Sequence, residues 1–239
     1  MHSVKIVAMI SLNLQAVMID LDGTLVDTIG DFEVALNRAL ADVDVPPASR
    51  ALIERSIGKG SEHLIRTVLA HQLTQSGTSD TARAVATLST PVWQRYEHHY
   101  LAINGEFSQV FPGVLQGLDQ LQAMGLPLAC LTNKPLSFTH PLLKAKGLAQ
   151  YFSHVFGGDS FERKKPDPLP LVKTCEAMQS APERTLMVGD SINDAQAADA
   201  AACPVVLMTY GYNHGESIRK TPALAWLDSL AHLPDLIQR

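Results

Sequence analysis

Short, continuous apolar runs alternate with amphipathic stretches through the second half of the chain. Residues 126–131 (LPLACL), 153–157 (SHVFG), 185–189 (TLMVG) and 204–208 (PVVLM) predict strands, and 16–21 (AVMIDL) predicts one more near the start. Runs of this length and continuity suit strands covered on both faces. Between them, helices are predicted over 113–124, 136–146, 168–179 and 192–201. Ser191 is placed to cap the last of these, with Asp194 in its first turn. Strand–helix alternation over 110–210 implies right-handed crossovers and a parallel sheet. The fold class expected is α/β, a doubly wound, Rossmann-like core.

Residues 29–105 break that alternation. Helices are predicted at 31–43, 49–56, 61–74 and 81–102, with the polar punctuation QSGTSD between the last two. Joints that read as flexible flank the block, DTIGD at 27–31 and INGEFSQVFPG at 103–113. The division expected is a core of residues 1–28 and 106–239 with an inserted α-helical cap of residues 29–105. An insertion after the first strand sits over the sheet edge where open α/β folds bind ligands. That is the place for a lid.

Composition narrows the class. Hydrophobic residues make up 46% of 239 and charged residues 18%, so the chain can bury a core. With 19 basic and 24 acidic residues the net charge is -5. No basic cluster offsets it, so neither nucleic acid nor an acidic membrane surface is an expected partner. No apolar stretch approaches the roughly 20 residues that span a bilayer. Cys130, Cys175 and Cys203 are odd in number and far apart, which argues against a disulfide framework and fits a reducing cytoplasm. The start, MHSVKIVAMISLNLQ, lacks the apolar core and cleavage site of a signal peptide and reads as an N-terminal extension, with Met9 as an alternative start.

The candidate chemistry lies at the strand ends. AVMIDLDGTLVDT carries Asp20, Asp22 and Asp27; LTNKP carries Thr132, Asn133 and Lys134; KKPDP at 164–168 carries a basic pair; VGDSIND carries Asp190 and Asp194. In a parallel sheet these ends converge, and gathered carboxylates need a counter-charge. A hard divalent cation with oxygen ligands, of the Mg2+ kind, supplies it. An EF-hand loop does not fit, because Gly23 directly follows Asp22; a P-loop does not fit GKGS at 58–61. An ionised Asp can attack phosphorus to form an acyl phosphate. Strand geometry would set Asp20 and Asp22 on one face, so that one attacks while the other handles protons. Lys and Thr would then hold the phosphoryl oxygens.

DLDGTLVD, LTN, KKPDP and GDSIND resemble, in order, the four motifs of the haloacid dehalogenase superfamily, and the resemblance covers nearly the whole chain. It implies a helical cap after the first motif and a Mg2+-dependent phosphotransfer site. Asp20 would be nucleophile and metal ligand. Asp22 would be general acid/base and bind metal through its carbonyl. Thr132 and the backbone of Asn133 would bind phosphate, and Lys165, more than Lys164, would neutralise it. Asp190 would bind metal, and Asp194 would support metal-bound water. The dehalogenases themselves lack the counterpart of Asp22, so its presence argues for phosphotransfer. Within the superfamily, SIGKG, GLPLACLTNKP, FGGDSFERKKPDPLPL and MTYGYNHGE resemble bacterial phosphoglycolate phosphatases. That implies a small phosphorylated metabolite, 2-phosphoglycolate, hydrolysed to glycolate and phosphate. Other small phosphate esters (a sugar phosphate or nucleotide), a phosphonatase or phosphomutase, and a silent phosphate-binding module are the alternatives. The resemblance also makes Gly58 and Lys59 part of a substrate loop. Lys59 departs from the uncharged residue expected there, and could reach a substrate carboxylate or stay in solvent.

Asp27 is expected to cap the first cap helix or bond the hinge. His98 and His99 point too far apart on one helix to share a metal. For residues 209–215 an active-site contact and a plain glycine-rich loop both stay open, as do monomer and homodimer.

Overall fold

A computed structural model describes residues 13–237. The N-terminal extension, except for its last residues, and the alternative start at Met9 lie outside the described residues. In chain order the elements are β1 (Ala16–Ile19), β2 (Val26–Asp27), α1 (Ile29–Ala41), α2 (Arg50–Ser56), α3 (Ser61–Gln75), α4 (Thr81–Ile103), β3 (Gln109–Val110), α5 (Val114–Ala123), β4 (Leu128–Leu131), α6 (Leu136–Ala145), β5 (His154–Phe156), α7 (Leu169–Met178), β6 (Thr185–Gly189), α8 (Ile192–Ala200), β7 (Val205–Met208) and β8 (Ala225–Leu227).

Six of the strands form one sheet in the order β5-β4-β1-β6-β7-β8, and every neighbouring pair is parallel. Chain order runs outward in both directions from β1, so the sheet is doubly wound and its direction reverses between β1 and β6. β1 is buried on both faces, as its apolar run requires. Alternation divides it: Val17 and Ile19 join a cluster with Val114, Leu118 and Leu142, while Met18 joins Leu171, Cys175 and Ala198 on the other side. Helices α5 and α6 thus cover one face, and α7 and α8 the other.

Two features go beyond the sequence expectation. β8 closes the sheet with three residues, and β2 pairs with β3 as a two-residue antiparallel ribbon. Runs this short carry no periodicity from which a strand could be read. Each of the other strands forms within its expected span or overlaps it.

Helices α1 to α4 bury their own cluster. Phe32, Leu36, Ala39 and Leu40 recur at helical spacing on α1 and meet Ile53, Leu64, Val68, Tyr96 and Tyr100. Phe138 of α6 and Tyr212 belong to the same cluster, so the helical block is packed onto the sheet-bearing part. The two connecting segments are bound to each other. Asp31, fully buried, accepts from the Gly105 and Phe107 amides at 2.9 and 2.8 Å. Lys146 Nζ donates to the Gly105 and Ser108 carbonyls, both at 2.6 Å. Gly30 lets the segments touch, since a Cβ there would stand 2.2 Å from the Phe107 carbonyl oxygen. Among the described residues no helix is long and apolar enough to cross a membrane.

Asp31→Ala would leave two amides without their charged acceptor. The expected loss is about 2–4 kcal/mol of unfolding free energy, read from the urea midpoint. A loss within about 0.5 kcal/mol, the range of an ordinary surface change, would show that the two segments hold together without it.

Candidate active site

The sheet order gathers the motif residues. Asp20 follows β1, Thr132 follows β4 and Asp190 follows β6, and β1 lies between the other two. The site therefore stands at the carboxyl edge, beside the point where strand order reverses. Lys165 reaches it from the loop between β5 and α7. Asp20 and Asp22 directly follow β1, and the Asp20 amide still donates to the Val188 carbonyl of β6 at 2.9 Å.

Each of the two acids finds its own lysine. Lys165 is buried, and its Nζ donates to Asp194 Oδ1 at 2.7 Å and to the Leu131 carbonyl at 2.8 Å. It stands 3.0 Å from Asp20 Oδ1. That contact is one of charge without hydrogen-bond alignment, and Oδ1 is left buried with no hydrogen-bonding partner. Asp22 has a different partner. Lys134 Nζ donates to its Oδ1 at 2.9 Å and Oδ2 at 3.3 Å. Sequence reasoning left Lys134 at its strand end without a task; the signal available was its place directly after Thr132 and Asn133.

The electrostatics follow from burial. Desolvation lifts the Asp20 carboxyl to about 6, against the pull of Lys165 and with the repulsion of Asp194 and Asp22. Asp190 is likewise pushed well above the ordinary carboxylate range by burial, then by Asp20 and Asp194. For Lys165 burial works against the charge, but Asp194 and Asp20 outweigh it and hold the ammonium. Asp190 is fixed by Thr24 Oγ1, which donates to its Oδ1 at 2.8 Å, and by the Tyr212 amide, which donates to Oδ2 at 2.5 Å. Gly23, at φ +86°, and Gly211 flank it, and a Cβ at either would come within 2.3 Å of Oδ2.

Oxygens of Asp20, Asp190 and Asp194 lie within 4.8 Å of one another. An all-oxygen set with an orphaned buried oxygen fits a hard divalent cation. Asp194 has a structural task as well: its Oδ2 accepts from the Ser191 hydroxyl at 2.8 Å and amide at 3.1 Å, which closes the start of α8.

A cavity of about 30 Å³ is lined by both halves of the molecule, including Asp20, Asp22, Thr132 and Lys165 below and Phe32 and Gly58 above. It has room for about two waters. Asn133 acts through its side chain, whose Nδ2 donates to the Gly58 carbonyl at 2.9 Å and the Lys165 carbonyl at 2.8 Å. Asn193 donates to the same Gly58 oxygen at 3.2 Å. Lys59, beside it, is exposed and stays outside the lining. Residues 209–215 do contact the site, through the Tyr212 amide on Asp190 and through Asn213, whose Oδ1 accepts from the Ile192 amide at 2.9 Å. Asp27 bonds the hinge: its Oδ1 accepts from the Tyr212 hydroxyl and from the Ile29 amide. His99 pairs with Asp42 at 2.8 Å, and neither it nor His98 lines the site.

Known proteins share this arrangement. Residues 14–202 match the sequence profile of the haloacid dehalogenase-like hydrolases. Over 228 residues the chain is 41% identical to a phosphoglycolate phosphatase of Nitrosospira multiformis, with 95% of this chain and 97% of that one covered. It is 41% identical over 221 residues to the phosphoglycolate phosphatase of Thiobacillus denitrificans, with 92% and 94% covered. A crystal structure described as a predicted phosphoglycolate phosphatase from Haemophilus somnus superposes with a TM-score of 0.88 at 33% identity, over 95% of this chain and 99% of that one. With its four motifs gathered at one sheet edge and its relatives matched along almost their full length, this chain belongs to the haloacid dehalogenase-like hydrolase family and is an enzyme of its phosphatase branch.

Proposed function

We propose that the chain is a Mg2+-dependent phosphomonoester hydrolase acting through an aspartyl-phosphate on Asp20, with 2-phosphoglycolate as its substrate. The observation that carries this reading is the Asp20 carboxylate, buried at the cavity floor with Lys165 Nζ 3.0 Å from its Oδ1. A carboxyl poised at about 6 is largely ionised at neutral pH and able to attack.

In the first step an oxygen of Asp20 bonds to phosphorus while the phosphorus–oxygen bond to the glycolate breaks. Asp22 gives its proton to the departing oxygen, and glycolate leaves as the alcohol. In the second step water attacks the phosphorus and gives its proton to Asp22. The bond to Asp20 breaks, which returns its carboxylate and frees phosphate. Thr132 and Lys165 hold the phosphoryl oxygens. Asn133 ties Lys165's loop to the turn at Gly58, so that the phosphate site and its cover register together. Asp20, Asp190 and the carbonyl of Asp22 would hold Mg2+, with Asp194 beside them; when bound, the ion offsets charge on the transferring group.

Residues 29–105 act as the cap, and residues 1–28 and 106–239 as the catalytic core. The relatives named above support 2-phosphoglycolate. A phosphonatase would need a cap lysine for a Schiff base, and Lys59 is exposed and off the lining. Cys130, Cys175 and Cys203 are free, buried thiols, in keeping with a reducing cytoplasm.

Asp20→Asn is expected to lower turnover by about three orders of magnitude or more while leaving circular dichroism unchanged; phosphate release at the wild-type rate would overturn the mechanism. Chelation should abolish activity, with Mg2+ restoring it and raising the melting temperature. A phosphate-release screen over 2-phosphoglycolate, sugar phosphates, nucleoside monophosphates and pyrophosphate should rank 2-phosphoglycolate first, by roughly tenfold or more in kcat/KM. A higher value for any other ester would move the substrate assignment to it.

A further inference from the structure

Cys175 and Cys203 are 28 positions apart in the chain, yet their sulfurs lie 4.0 Å apart. Both residues are buried, at 2% and 6% exposure, in the apolar cluster on the face that α7 and α8 cover. Cys175 stands near the end of α7, and Cys203 lies between α8 and β7. The backbone around Cys203 is fixed. Its amide donates to the Ala198 carbonyl at 2.8 Å, across a turn in which Ala202 takes φ +56°, and the Pro204 carbonyl accepts from the Met187 amide at 2.8 Å. A disulfide holds its sulfurs at about 2.05 Å, so each sulfur would travel about 1 Å to form one. Cys130 is the internal contrast: it is fully buried in β4 and belongs to the cluster on the opposite face.

Two thiols in contact differ from a solitary one, because one can donate to the other. Donation from Cys203 holds the Cys175 thiol below the ordinary thiol range, against burial and with the hydroxyls of Thr185 and Ser180 adding to it. The same contact keeps the proton on Cys203, whose thiol it pushes well up. Cys175 therefore carries thiolate character with a protonated thiol beside it. Cys203 also lines a groove of about 480 Å³, with Ala195, Val205 and Leu224, through which a small molecule can reach the sulfurs. The pair lies by the first residues of β6 and β7, Thr185 and Val205, at the sheet edge opposite Asp20 and Asp190.

We propose that Cys175 and Cys203 are a hydroperoxide-reactive pair, a reversible disulfide site separate from the carboxylate centre. The Cys175 thiolate attacks one peroxide oxygen. A sulfur–oxygen bond forms, the oxygen–oxygen bond breaks, and the second oxygen takes up a proton and leaves as water or an alcohol. The Cys203 sulfur then attacks the sulfenic sulfur. The sulfur–sulfur bond forms, the sulfur–oxygen bond breaks, and the hydroxide leaves with the Cys203 proton as water. The two sulfurs give up two electrons, and these reduce the peroxide. The new bond staples α7 to the chain that follows α8 and closes the loop between them. A dithiol reductant reverses it, so in a reducing compartment the pair rests as thiols and closes only under oxidant.

The test treats the purified full chain with a modest excess of hydrogen peroxide at neutral pH and stops the reaction with acid. Free thiols counted in denaturant should fall from three to one, and a digest made without reductant should contain peptides joined through Cys175 and Cys203. A dithiol reductant should restore all three thiols. These readouts use the wild type and need no variant. Cys203→Ser should stop the reaction at a sulfenic acid on Cys175, captured by dimedone, and Cys175→Ser should leave Cys203 reduced. Treatment should raise the melting temperature of the wild type by about 5 °C relative to treated Cys175→Ser, each measured against its own untreated sample. A thiol count that stays at three, loss of Cys130 as fast as the pair, or oxidation of both cysteines without a joined peptide would overturn the proposal. So would a melting temperature that rises no more in the wild type than in Cys175→Ser.

Discussion

Repulsion among carboxylates at one sheet edge is the constraint on which the rest of the structure depends. Asp20, Asp22, Asp190 and Asp194 meet there with only Lys134 and Lys165 among them. Ionised together, the four acids exceed the two ammonium groups by two charges, the amount a divalent cation carries. Without that cation, burial drives Asp20 and Asp190 toward their protonated forms. The site is thus unfavourable on its own terms, and the proposed Mg2+ would offset it.

The scaffold works to hold this arrangement. Double winding puts β1 at the middle of the sheet, so Asp20 has the ends of β4 and β6 on either side. Hydrogen bonds from Thr24 and the Tyr212 amide leave Asp190 little freedom to turn away from its neighbours. Gly23 and Gly211 leave it the space it fills. Asp194 joins Lys165 to the first turn of α8, which ties the charge of the site to the end of a helix. These contacts fix the acids in mutual repulsion, which a mobile loop would relieve by letting them part.

Much of this was legible in the chain. Apolar runs ending in acids identified the central strands, and the acids identified the edge that carries chemistry. What escaped was short or distant. β8 and the β2–β3 ribbon are too brief to show a period. Lys134 and Asp22 are 112 positions apart, and nothing local to either indicates that they pair. Asp31 ends a segment that read as a flexible joint, yet its partners are the amides of Gly105 and Phe107, on the far side of the insertion. Asp20 and Asp22 line one cavity, yet each pairs with its own lysine. Side-chain partners brought together by topology have no signature in the composition or spacing around them.

The ribbon of β2 and β3, with Asp31 and Lys146 beside it, has a consequence for how such a chain can change. The segment between Asp31 and its partners, 74 and 76 positions further on, enters and leaves the sheet-bearing part through one tied doorway. What lies between those ends can grow, shrink or be exchanged without moving any strand. Closing a longer loop adds only about 0.6 kcal/mol for each doubling of its length. The helical segment and the sheet that carries the acids are thus joined in the chain at a single pair of crossings.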